Sequence, residues 1–168
     1  MFTVNKISAI KYIIIALFVV FYQVIIMPRT TIGSIQADMA LILTVWIALN
    51  EGAKEGLYFG LVMGLLMGVF NPMDLGWQSL LLSIIGFSLG KISHKLAIEP
   101  MPMKISLLFG AAIIFNFLYI FFTSFQLILL NPSYVVTGAL FSALYSTAIG
   151  VIIFSAIRYR YVLRYLFE

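Results

Sequence analysis

Apolar residues in this chain come in long blocks, and six such blocks are separated by polar or Pro/Gly punctuation, at 12–27, 37–49, 56–70, 75–92, 105–130 and 134–157. Blocks this uniform predict helices that are apolar all round, the pattern of membrane-spanning segments and not of one-sided surface helices. The fifth block has 26 residues, ample for a span that needs ~20. The third block has 15 residues, only about 22 Å of helix against a hydrocarbon core of about 30 Å. It is therefore expected to start earlier, near Gly52, to tilt little, or to be shielded by its neighbours. Short, glycine-rich helices of this kind are expected at the centre of a bundle. The first block follows Lys6 and Lys11, but Met27-Pro28-Arg29 after it offers no small-residue cleavage site, so it reads as a retained anchor.

Inside the third block Gly52, Gly56, Gly60, Gly64 and Gly68 recur at strict four-residue spacing. Positions four apart drift by only about 40° around a helix, so the glycines form one bare stripe along which another backbone can come close. Each interior glycine costs roughly 0.5–1 kcal/mol relative to Ala in water. Small-xxx-small seams of this kind are how membrane helices pack. Gly138, Ser142, Ser146 and Gly150 make a second ladder in the last block. Each ladder is expected either to close a seam within the chain or to receive a transmembrane helix of a partner. On either expectation Leu at Gly60 or Gly64 should be harmful and Ala mild.

Composition supports the membrane reading. Hydrophobic residues make up 63% and charged residues 10% of the chain, with a mean hydropathy of +1.12, against roughly 25% charged in soluble domains. The 168 residues suit one helical bundle, with no stretch polar enough for a separate soluble domain. There is no cysteine, which excludes a disulfide framework and a thiolate metal site. With six spans, nine of the ten basic residues share one side, namely Lys6, Lys11, Lys54, Lys91, Lys95, Lys104, Arg158, Arg160 and Arg164, while Arg29 lies opposite. By the positive-inside rule the crowded side is cytoplasmic, with both termini inside. Tyr22, Trp77 and Tyr134 fall near the expected outer boundary and Tyr12, Tyr159 and Tyr161 near the inner one, and the basic tail is expected at anionic lipid headgroups.

Nothing in the pattern asks for chemistry. His94 is the single histidine and sits in a basic loop beside Lys91 and Lys95, without a carboxylate or second histidine at ligand spacing, so no catalytic residue, metal site or cofactor is expected, and no nucleic-acid partner. None of the acids, Asp38, Glu51, Glu55, Asp74, Glu99 and Glu168, falls in the middle of an expected span, which argues against a proton-coupled pump. Asp38 and Asp74 stand just before outer helix starts. Each is expected either to cap its helix or to line, with the other, an outward-facing cavity. Gln23, Asn116, Thr123 and Gln126 are expected in interhelical hydrogen bonds.

The stretch Ile35-Gln36-Ala37-Asp38, the short span ending near Ala48-Leu49, the charged turn with Gly52, the run Gly56-Leu57-Tyr58-Phe59-Gly60-Leu61-Val62-Met63-Gly64-Leu65-Leu66 and then Leu75-Gly76 resemble the rod shape-determining MreD family. The likeness covers about 33–96, with the flanks matching in hydropathy. Members of that family usually show Pro-Asp where Ala37-Asp38 stands, an Asp where Gly68 stands, and Pro-Leu-Gly where this chain has Asp74-Leu75-Gly76. The resemblance implies an all-α integral membrane protein of six transmembrane helices, similar to the S component of energy-coupling-factor transporters. It implies a non-enzymatic scaffold in the bacterial cytoplasmic membrane. Such a scaffold would bind a single-span MreC-like protein and act through it with MreB, RodA and a class B penicillin-binding protein. Gly56, Gly60, Gly64, Gly68, Asp38 and Asp74 are the candidate partner-binding residues. The alternative is a vitamin-binding S component. The usual Ala-xxx-Ala docking motif of those subunits is not reproduced by Ala9 and Ala16, and the outer loops here are short and nearly uncharged.

Overall fold

A computed structural model of the chain describes residues 38–70, 76–96, 100–123 and 132–167, together with Val19 and Phe21. The described residues are helical throughout apart from caps and turns. They form α1 (Met39–Glu51), α2 (Ala53–Phe70), α3 (Trp77–Leu96), α4 (Met101–Thr123) and α5 (Pro132–Phe167). Of the block 12–27, only Val19, buried in the core, and the exposed Phe21 are described.

The chain leaves α1 and enters α2 through a single residue. Gly52 sits at φ +113, a backbone conformation that side chains with a Cβ rarely adopt. Its N–H donates to the Ala48 carbonyl at 3.2 Å and its own carbonyl accepts from Gly56 at 3.0 Å, closing one helix and opening the next. This is why α2 begins at Ala53 and has 18 residues, earlier than the apolar block that starts at Gly56. α4 likewise starts early, at Met101. Pro102 is tolerated there because the first turn has no intrahelical N–H partner to lose. α5 is the long exception: it has 36 residues and continues without a break through Arg158-Tyr159-Arg160 to Phe167, beyond the apolar block that ends at 157.

α1 is the centre of the assembly and packs against each of the other four described helices. Ala40, Leu41, Ile42, Thr44, Val45, Ile47, Ala48 and Leu49 are all buried, so this 13-residue helix is enclosed on nearly every side, whereas the glycine-rich α2, expected at the centre, buries only its small-residue side. α2 and α3 form the tightest pair, and α4 packs mainly on α5. The outer faces carry large apolar side chains: Tyr58, Leu61, Val62, Leu65 and Val69 on α2, Leu80, Ile84 and Phe87 on α3, Ile114, Phe117 and Phe121 on α4, and Leu140, Phe141, Leu144 and Ile152 on α5 are exposed. Two of the described helices contain segments long and apolar enough to cross a membrane, Met101–Phe122 and Val136–Ser155.

Candidate functional site

The glycine stripe of α2 lies against the backbone of α3. A Cβ built on Gly60 would stand 2.5 Å from the Leu82 carbonyl oxygen. One on Gly64 would overlap the Ser79 Cα, and one on Gly56 would meet the Gly86 carbonyl oxygen at 2.8 Å and the Ala48 Cβ at 2.6 Å. From the α3 side, Gly86 faces the Gly56 carbonyl and Gly90 would place a Cβ 2.5 Å from the Ala53 Cα. As numbers rise along α2 their partners on α3 fall, so the two helices run antiparallel in one close-packed seam. Gly68 is buried on the same helix. Hydroxyls tie α3 to both neighbours: Ser79 Oγ donates to the Leu61 carbonyl of α2 at 3.1 Å, and Ser93 Oγ donates to the Leu49 carbonyl of α1 at 2.9 Å. Gly56, Gly60 and Gly64 thus face the chain's own third described helix, and the space a partner's helix would need along them is filled. The expectation that Ala is mild there also changes, because the atoms an added methyl would meet are backbone, which cannot swing aside as a side chain can.

Sequence reasoning singled out one side of this seam and overlooked its complement. Ser79, Gly86 and Gly90 on α3 and Ala40, Thr44 and Ala48 on α1 also carry small residues one or two turns apart. The Thr44 methyl lies 3.0 Å from a Cβ built on Gly86, so three helices meet there.

Asp38 caps α1. Its Oδ1 accepts from the Leu41 N–H at 3.0 Å, while its own N–H donates to Ser146 Oγ on α5 at 3.2 Å. This joins Asp38 to the second ladder. Ser146 is fully buried and Ser142 nearly so, and Gly150 faces the Leu108 side chain and Ile42. Gly138 has open space around it, so the ladder is a seam along its last three members only. Trp46 packs on Phe154 with ring centroids 4.6 Å apart. The pairs 38 with 146, 42 with 150 and 46 with 154 keep a constant offset, so α1 and α5 run parallel. α4 runs against both, because Leu108 meets Gly150, and Lys104 Nζ lies 5.7 Å from the Trp46 ring.

By this register Asp38 and Ser146 are level with Ala112 on α4, one turn beyond Leu108.

The lysines of the described helices gather at the other end of α1. Lys104 Nζ donates to Asn50 Oδ1 at 2.7 Å. Gly90 packs on Ala53, which puts Lys91 and Lys54 at the same end of the α2–α3 pair. At the opposite end Trp77 stacks on Phe122 with centroids 4.4 Å apart and planes 10° from parallel. Asn116, placed by its sequence in an interhelical bond, donates to the Ala112 carbonyl of its own helix at 2.8 Å. Asp74, Gln23, Gln126, Arg29 and Glu99, and the side chains of His94 and Thr123, lie outside the described residues. The pairing of Asp38 with Asp74 around a cavity therefore falls outside them too. Comparison with protein-family models, with characterised proteins and with solved structures finds no match to this chain.

Proposed function

We propose that this chain is an integral protein of the bacterial cytoplasmic membrane. In this reading it has six spans with both termini inside, and it works without chemistry of its own as a scaffold of the cell-elongation machinery. The observation that carries the membrane part is an inverted distribution of side chains. Glycine, alanine and hydroxyl side chains line the interior seams, while Tyr58, Leu61, Leu65, Ile84, Phe117, Phe141 and Ile152 point outward. A soluble monomer rarely exposes contiguous apolar patches of this kind. In lipid, large apolar side chains outside and close backbone approach inside are the favourable arrangement. Lys54, Lys91 and Lys104 gathered at one end support the expected charge asymmetry.

The scaffold part rests on the resemblance of about 33–96 to the MreD family, carried by Asp38 and the glycine ladder. A seam with no room for a methyl group makes α2 and α3 a rigid hairpin, and a rigid hairpin presents a fixed outer face. A single-span MreC-like protein would dock on such a face, and through it MreB, RodA and a class B penicillin-binding protein. Gly56, Gly60 and Gly64 would then act from inside, by holding the face in shape. The second reading is an S component of an energy-coupling-factor transporter, whose fold the same resemblance implies.

Mild detergent extraction of the tagged chain separates the two. Recovery of a single-span MreC-like protein is the expected result, whereas recovery of an ATPase pair with a coupling subunit would replace the scaffold by the transporter.

A further inference from the structure

We propose that the lysine end of the α2–α3 hairpin binds an anionic phospholipid of the cytoplasmic leaflet, with Lys54, Tyr58 and Lys91 at its phosphate headgroup and Leu61, Ile84 and Phe87 against its acyl chains. The proposal rests on the membrane-spanning part of the reading above and on neither choice of partner.

The hairpin has two sides, and the chain uses only one of them. Ala48 meets Gly56 and Thr44 meets Gly86, so α1 covers one side, where Phe59, Met63 and Met67 of α2 and Ile85 and Leu89 of α3 are buried. At about 100° per residue, Lys54, Tyr58 and Leu61 fall on the other side of α2, and Ile84, Phe87 and Lys91 on the other side of α3. All six are exposed. The antiparallel pairing of Ala53 with Gly90 and of Gly56 with Gly86 sets Lys54 within about three residues of the level of Lys91, about 5 Å along the axes. Phe87 and Tyr58 come next, then Ile84 and Leu61. One surface thus runs from two cations through a phenol to apolar side chains, the order of a lipid headgroup and its chains.

Charge selects the occupant. Neither Lys54 nor Lys91 pairs with a carboxylate among the described residues. Glu55, next to Lys54 in sequence, is set about 100° further round α2, and its Oε2 lies 3.5 Å from a Cβ built on Gly52, over the α1–α2 turn. Glu51 ends α1, the helix on the opposite side of the hairpin. No other outer face offers the same pairing of cations with apolar surface. α5 exposes Leu140, Phe141, Leu144 and Ile152 but carries no charge between Val136 and Ser155, and Lys104 of α4 donates to Asn50 Oδ1 within the chain at 2.7 Å. Two cations above a lipid-facing apolar surface attract an anionic headgroup, whereas a zwitterionic one would bring its own ammonium group against them. The far half of the face, from Leu65 and Leu80 onward, is left to a docking partner.

The test uses the full chain, extracted from carbonate-washed membranes in mild detergent and incubated with equal amounts of phosphatidylglycerol and phosphatidylcholine, with the lipids that stay bound counted by native mass spectrometry. The expected result is phosphatidylglycerol retained several-fold over phosphatidylcholine, and a several-fold loss of that retention in Lys54→Gln/Lys91→Gln. Both lysines are exposed, so this double variant keeps the fold, which an unchanged elution volume on gel filtration checks. Lys104→Gln/Arg164→Gln removes the same charge elsewhere and should keep most of the retention. Equal loss in the two double variants, or no preference between the two lipids in the native chain, overturns the site alone. Displacement of phosphatidylglycerol by an equal concentration of glycerol 3-phosphate overturns the lipid in favour of a free phosphate. Full phosphatidylglycerol retention by Lys54→Gln/Lys91→Gln, with a copurifying single-span protein lost from it, overturns the site by making the lysines a protein contact. Release of the chain by carbonate overturns the membrane reading and the site with it.

Discussion

A methyl group is the smallest probe of a helix seam, and its effect in this chain depends on which glycine receives it. At Gly60 it would press on the Leu82 carbonyl and at Gly64 on the Ser79 Cα, so the helices must part and close contacts along the whole hairpin lengthen. Overpacking of this kind costs about 1–3 kcal/mol. At Gly110 and Gly138 an added Cβ meets nothing within 4 Å, and replacing an interior helical glycine by Ala contributes roughly 0.5–1 kcal/mol. Gly60→Ala and Gly64→Ala should therefore lower the midpoint of thermal unfolding in detergent, while Gly110→Ala and Gly138→Ala should leave it unchanged or raise it. Equal responses at all four positions would mean that the α2–α3 seam is absent in the membrane. Gly52 fails for a different reason. Nothing crowds it, with Glu55 Oε2 at 3.5 Å from a built Cβ, but its φ of +113 disfavours any side chain, and Gly52→Ala should unsettle the turn between α1 and α2.

Hydroxyls reinforce these helices at their ends, where glycine contributes only proximity. Ser93 Oγ ties the last turns of α3 to the Leu49 carbonyl, an acceptor in the final turn of α1. Such carbonyls have no intrahelical donor of their own. Ser93→Ala is expected to cost about 0.5–1.5 kcal/mol, more than Thr137→Ala, whose hydroxyl is exposed and returns to its own helix at Ser133. Thermal unfolding of the two variants side by side decides this. At this scale the sequence was legible in part. Uniform apolar blocks located all five described helices, and the four-residue glycine spacing located the seam. Two things escaped. The end of α5 was misplaced because its arginine-rich residues continue the helix beyond its apolar block. The contact of Asp38 with Ser146 escaped because periodicity along one helix carries no information about its register against another. Only the pairing of 38, 42 and 46 with 146, 150 and 154 supplies that.

Over the whole molecule, the two ends of the bundle differ in chemistry. One gathers Lys54, Lys91 and Lys104 around the Asn50 end of α1; the other carries the Trp77–Phe122 stack and the start of α5. The positive-inside rule assigns the lysine end to the cytoplasm, an assignment that depends on the unbroken passage of α4 and α5 from one end to the other. Single cysteines at Lys54 and Ser133 test it, because both positions are exposed and they lie at opposite ends. The native chain has no cysteine to interfere. An impermeant maleimide added to intact cells or right-side-out vesicles should label Ser133→Cys and reach Lys54→Cys only after the membrane is opened. The reverse pattern would invert the bundle while leaving its packing intact. Labelling of both from one side would mean that the lysine end and the Trp77 end share a compartment, and the bundle would then lie on the membrane instead of crossing it.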